Sequence, residues 1–252
     1  MTNKLKYFIG NWKMFGNIAS FKIIDKINKF TKKDKNINKK KVILCVPNTL
    51  LQFYKKNLKS ASISLGAQNC HHKEGYGSFT GSVSASMLRN AGAKYVIIGH
   101  SENRSEGETN REIKEKINSA LKQNLNVIFC FGETTSEKNQ GKTLSIITKQ
   151  IRSALNNKIK SSKILLAYEP IWAVGSNKTP KIEELRKIIK FIKKNLKKTF
   201  KWKKFPKILY GGSVSPENIR YFSLISEIDG FLIGRASQYP KKFIAIIKNY
   251  YK

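Results

Sequence analysis

The chain has 252 residues, a hydrophobic fraction of 40% and a formal net charge of +33. That length suits one α/β barrel of roughly 250 residues, so residues 1–252 are expected to form a single domain. No stretch approaches the ~20 apolar residues that cross a bilayer, and the apolar run before Asn11 is too short for a secretory signal; neither a membrane partner nor export is expected. Cys45, Cys70 and Cys130 leave an odd count of thiols. Cys45 and Cys130 lie within apolar runs, where a thiol packs as a small hydrophobe, and a reducing, cytoplasmic setting follows.

The charge alone would suit a nucleic-acid binder, because lysines neutralise phosphates and release counterions. Its distribution argues otherwise. Lysines are spread along stretches such as KINKFTKKDKNINKKK and KIIKFIKKNLKK, where they read as the solvated faces of helices. No zinc-ligand spacing, stacking-aromatic motif or separate basic tail accompanies them. A basic nucleic-acid-binding or scaffold protein on an inactive barrel is the alternative reading, and no nucleic-acid partner is expected. A positive field can still speed capture of an anionic substrate.

In chain order, short apolar runs occur at 7–11, 42–46, 63–68, 95–100, 127–133, 164–169, 207–212 and 231–234. They lack polar alternation, as strands buried on both faces of a parallel sheet do. Amphipathic stretches separate them. Thr109 and Glu112 form a capping-box pattern ahead of Ile113, Ile117 and Ala120. Ile182, Leu185, Ile188, Ile189, Ile192 and Leu196 make one apolar stripe at helical spacing, and Ser215 with Pro216 marks a further helix start. Eight strands, each followed by a helix-sized segment, predict an α/β fold of the (β/α)8-barrel type, eight parallel strands with surrounding helices.

Such barrels carry their chemistry at the C-terminal ends of the strands. There the first strand presents Asn11 and Lys13, the fourth His100 and Glu102, and the sixth Glu169. The seventh and eighth end in Gly211-Gly212-Ser213 and Gly234-Arg235, turns whose backbone amides can hold a phosphate. Taken singly, each has a structural explanation: a hydrogen-bonded histidine, a surface carboxylate, one lysine among many, a tight turn. Five strand ends converging on one rim favour a site.

The strings GNWKM (10–14), AQNC (67–70), FTGSVS (79–84), VIIGHSE (96–102), YEPIWAVGS (168–176), YGGSV (210–214) and IDGFLIG (228–234) occur in the order found in triosephosphate isomerases, and the chain resembles that family over nearly its whole length. The resemblance implies interconversion of two triose phosphates through an enediolate, with Glu169 as base, neutral His100 as hydrogen-bond donor and Lys13 as cationic stabiliser beside Glu102. Asn11 would orient a substrate oxygen, and Gly175, Ser213, Gly234 and Arg235 would offer amides to the phosphate. Pro170, Ile171, Trp172, Ala173, Val174, Gly175, Ser176, Asn177 and Lys178 match the mobile lid. No metal or organic cofactor is implied, and a homodimer through loop 72–82 is.

Several positions depart from the family pattern. Arg235 stands where many relatives have glycine; a positive φ there would cost an arginine roughly 1–2 kcal/mol. With an accessible backbone the amide still serves and the side chain leaves the site, while the sharper alternative has the guanidinium reinforcing phosphate binding. Asn177 replaces a common lid glycine. Pro180 replaces an alanine whose amide is associated with the residue corresponding to Tyr210, and proline has no N–H to offer. The expected closing contact is then Asn177 N–H to Ser213. Ser82 and Asn103 take the places of a glutamate and an arginine that pair in relatives, so dimerisation would use other contacts.

Overall fold

The computed structural model describes residues 5–176 and 178–252. The strands are β1 (Lys6–Asn11), β2 (Lys40–Cys45), β3 (Ile63–Ala67), β4 (Tyr95–Ile98), β5 (Asn126–Phe131), β6 (Ile164–Tyr168), β7 (Lys207–Tyr210) and β8 (Gly230–Ile233). They pair in parallel in sequence order and close when β8 pairs with β1, Tyr7 opposite Gly230 and Gly10 opposite Ile233. All eight lie where the apolar runs placed them, with boundaries shifted by a few residues. The fourth stops at Ile98 because Gly99 takes a φ of 75°, which turns the chain off the sheet.

Burial explains the unalternating strand sequences. Alternate residues enter separate clusters: Ile9, Ile43, Ile97, Ile128, Leu165, Leu209 and Leu232 pack together with Cys45 and Cys130 inside the barrel. Phe8, Val42, Leu44, Val96, Phe129 and Leu166 pack outward beneath the helices. Both faces of each strand therefore leave water, the condition for an apolar run without period two. All three cysteines are free and buried.

The helices are α1 (Phe21–Lys33), α2 (Asn48–Asn57), α3 (Ala85–Asn90), α4 (Ser101–Ser105), α5 (Asn110–Lys122), α6 (Thr135–Asn139), α7 (Thr143–Ala154), α8 (Ile182–Thr199), α9 (Ile219–Ser223) and α10 (Pro240–Tyr250). At α5 the Thr109 hydroxyl accepts the Glu112 amide and Glu112 accepts the Thr109 amide, the reciprocal cap expected from the sequence. The stripe on α8 buries Leu185, Ile188, Ile189, Ile192 and Leu196; each such side chain contributes roughly 1.5–3 kcal/mol. The start at Ser215 is only partly helical. Its carbonyl accepts the Ile219 amide and its hydroxyl the amides of Glu217 and Asn218, but the regular helix begins at Ile219.

Two lysines break the rule of solvated faces. Lys6 is buried, donating its ammonium to the Ile228 carbonyl. Lys40 is buried against Asp34 at 2.8 Å. Among the described residues, no helix is long and apolar enough to cross a membrane.

Candidate active site

The C-terminal ends of the strands enclose a cavity of about 580 Å³. Asn11 and Lys13 from β1, His100 and Glu102 from β4 and α4, and Glu169 from the end of β6 all line it. Gly175, Ser213, Gly234 and Arg235 line the same cavity. The strand-end rule thus gathers every chemically or phosphate-directed candidate into one opening.

Glu169 is 2% exposed. Burial pushes its carboxyl above the usual range, while His100, the Ser101 amide, the Cys130 thiol and Lys13 draw it back. Its Oε1 lies 3.3 Å from His100 Nε2, and its Oε2 is buried with no hydrogen-bond partner among the described residues. The carboxylate has little room to spare. A Cβ at residue 211 would stand 2.7 Å from Glu169 Cγ, and one at residue 132 would stand 1.9 Å from its carbonyl oxygen, so both neighbours are glycine.

His100 caps α4. Its Nδ1 accepts the Glu102 amide at 3.2 Å, and a ring nitrogen that accepts cannot carry the proton. The single N–H of the neutral imidazole is therefore on Nε2, facing Glu169. Lys13 pairs with Glu102 at 2.5 Å. The lysine backbone is left-handed, φ 57°, a conformation that costs a non-glycine residue energy. Two contacts hold it there: Asn11 Oδ1 accepts the Lys13 amide at 3.1 Å, and Gln68 Nε2 donates to the Lys13 carbonyl at 2.9 Å.

The segment expected to act as a lid leaves β6 through a short 3₁₀ turn, Ile171–Ala173, after Pro170. Its first part is tied down. The Trp172 indole donates to Glu133 at 2.9 Å, the Ile171 amide to the Glu133 carbonyl at 3.0 Å, and the Ser176 hydroxyl to the Trp172 carbonyl at 3.1 Å. Val174, Gly175 and Ser176 face the cavity, and the Lys178 amide donates to Ser176 Oγ. The Ser213 amide, expected to face a phosphate, donates instead to the Ala173 carbonyl at 3.1 Å. In this arrangement the Ala173 carbonyl occupies that donor. The expected contact of Asn177 with Ser213 lies outside the described residues.

Arg235 opens a 3₁₀ turn, Arg235–Gln238, and is not among the residues of positive φ, so the strain considered for it does not arise. Tyr210 OH is buried without a partner among the described residues, in keeping with a proline at 180. Ser82 and Asn103 use their backbones locally: the Ser82 amide donates to Phe79, and the Asn103 carbonyl accepts from Glu106 and Glu108.

Three supporting residues were not singled out from the sequence. Glu133, 1% exposed, holds both Trp172 and the Tyr168 hydroxyl. It ends the apolar run of β5, so the strand-end rule could have found it. Gln68, which donates to the Lys13 carbonyl, likewise ends the apolar run of β3, whereas Gln238, which donates to the Trp12 carbonyl, carries no such signal.

The sequence profile described as "Triosephosphate isomerase" matches residues 6–250. The triosephosphate isomerase of Dictyoglomus thermophilum is 40% identical over 249 residues, 97% of this chain and 99% of that protein. That of Leptospira interrogans serovar copenhageni is 38% identical over 245 residues, covering 94% and 97% respectively. A crystal structure of triosephosphate isomerase from Bartonella henselae superposes with a TM-score of 0.88 at 32% identity, covering 98% of this chain and 99% of that one. With the profile spanning almost every described residue and relatives matching end to end, the chain belongs to the triosephosphate isomerase family.

Proposed function

We propose that this chain interconverts dihydroxyacetone phosphate and D-glyceraldehyde 3-phosphate, in glycolysis and gluconeogenesis, as one catalytic domain spanning residues 1–252. The observation that carries this reading is the pairing of a buried carboxylate with a neutral imidazole. Glu169 is raised by burial, and the only ring proton of His100 faces it.

Glu169 takes a proton from one substrate carbon and returns it to the adjacent carbon; a carboxyl displaced upward from its ordinary range is a stronger base for that step. His100 Nε2–H donates to the carbonyl oxygen as it becomes an enediolate oxygen. Lys13, in its strained backbone conformation, places a positive charge beside the same oxygens, with Glu102 as its partner. Asn11 orients the substrate oxygen and fixes the Lys13 backbone. The amides of Gly175, Ser213, Gly234 and Arg235 receive the phosphate. For Ser213 this requires the Ala173 carbonyl to let go, so phosphate binding and movement of the lid, residues 170–178, are one event. Closure excludes water and keeps the enediolate from expelling its phosphate.

A homodimer through loop 72–82 accompanies this reading. Tyr76 and Phe79 are 84% and 41% exposed on that loop, large apolar surface that a partner subunit would cover. Cytoplasmic location agrees with three free, buried thiols. A coupled assay with glyceraldehyde 3-phosphate tests the activity: folded protein without isomerase turnover would overturn it. Sedimentation that finds only monomer at micromolar concentration would overturn the dimer.

A further inference from the structure

The lid re-enters regular structure at α8, and the first turn of a helix leaves amide groups that need acceptors from outside it. The residue before α8, Lys181, makes no side-chain cap. Pro180 contributes no N–H, and Tyr210 OH, buried near the end of β7, has no partner among the described residues. Neither the Lys181 side chain nor a Pro180 N–H therefore ties down the start of α8.

One hydroxyl from another element fills this gap. Tyr221 OH, on α9, accepts the Ile182 amide at 2.8 Å and donates to the Pro180 carbonyl at 3.3 Å. A single oxygen thus grips the chain on both sides of Lys181. Its ring stands edge-on to Phe222 at 5.5 Å, and Phe222 packs against Tyr210 at 4.6 Å. The same β7–α9 segment holds the other end of the lid, since the Ser213 amide donates to Ala173 and Asn218 Nδ2 donates to the Ser213 carbonyl at 3.1 Å. The first part of the lid and the residues just beyond its other end are thus fastened to one short piece of chain.

The geometry points to Tyr221 as a positioning residue for the reaction, the pin of the C-terminal hinge about which the lid turns. It touches no substrate. By fixing the backbone at 180–182 it limits where residues 174–176 can travel, and so how completely the lid seals the enediolate from water. This inference rests on the isomerase reading and on residues 170–178 being the lid.

Tyr221→Phe removes the oxygen and keeps the ring packing. Arg186→Gln is the control, because Arg186 Nη2 donates to the Leu224 carbonyl at 3.2 Å and ties α8 to the same region away from the lid. Tyr221→Phe is expected to lower kcat/KM about five-fold. It should also increase the fraction of turnovers in which the C–O bond to phosphate breaks, releasing inorganic phosphate and a three-carbon ketoaldehyde. Arg186→Gln should change neither, even if its Tm falls as far. Hydrogen exchange, which needs no activity, is the second readout: in Tyr221→Phe the amides of 170–182 should exchange several-fold faster, with other segments unchanged. Parental kinetics in Tyr221→Phe, the same kinetic change in Arg186→Gln, or unaltered exchange over 170–182 would each overturn the inference. An inactive parent whose 170–182 exchange still responds to Tyr221→Phe would defeat the isomerase reading and leave the pin in place.

Discussion

His100 Nε2 stands 3.3 Å from Glu169 Oε1 while Nδ1 of the same ring accepts the Glu102 amide at 3.2 Å. The helix start thus sets the direction of the ring, and the proton it holds can only point toward the cavity. His100→Asn retains a good helix-capping acceptor but withdraws the N–H from that position. Turnover is expected to fall about 100-fold or more, with the Tm close to that of the parent. Steady-state kinetics and thermal melting check this, and retention of turnover would remove His100 from the chemistry.

Glu169→Gln is expected to lose about 1,000-fold or more in turnover without change of fold. Its stability should also change with a defined sign. A carboxyl whose folded pKa is raised stabilises the native state below its unfolded value, 4.5, and that contribution is lost as pH rises through the higher folded value. The stability of the parent relative to Glu169→Gln should therefore decline over a window beginning near pH 4.5 and stay lower above it. Denaturant melts of both proteins across that range measure the difference. A relative stability that rises with pH would contradict the assignment of burial as the dominant influence on Glu169.

At the lid, Ser213→Ala should impair turnover clearly more than Tyr210→Phe. The Tyr210 hydroxyl is buried with no partner among the described residues, so its removal leaves nothing unpaired and the Tm should hold or rise slightly. Equal kinetic losses in the two variants would show that Tyr210 still finds a latch despite Pro180.

Arg235 lies on the cavity wall, exposed and in an unstrained backbone. Arg235→Gly should raise KM for the phosphorylated substrate about two- to five-fold at low salt and less at high salt, where exposed charges are screened. In the parent, kcat/KM should fall as ionic strength rises, because the net charge of +33 favours capture of an anion. A KM indifferent to Arg235→Gly would leave only the backbone of residue 235 at the phosphate.

The strands were legible because they bury both faces, Ile9 entering the barrel and Phe8 the helix layer, and polar residues such as Ser64 seldom interrupt the runs. The catalytic candidates were legible because strand ends share one rim, a property of topology rather than of any single residue. What remained hidden depends on contacts between distant segments. Nothing in the sequence around Lys13 announces a positive φ, since Asn11 and Gln68 enforce it from outside the residue. Nor does the sequence near Ser213 reveal that its amide is committed to Ala173. At β4 the apolar pattern runs two residues past Ile98, into Gly99 and His100, whereas backbone geometry stops the strand.

The two glycines that flank Glu169 limit how this site can be remodelled. With a Cβ at 211 within 2.7 Å of the glutamate side chain and one at 132 within 1.9 Å of its carbonyl, mutant libraries at either position should return almost nothing but the parental residue. An engineer widening the mouth for a bulkier sugar phosphate would have to work from other lining residues, such as Val174 or Leu232.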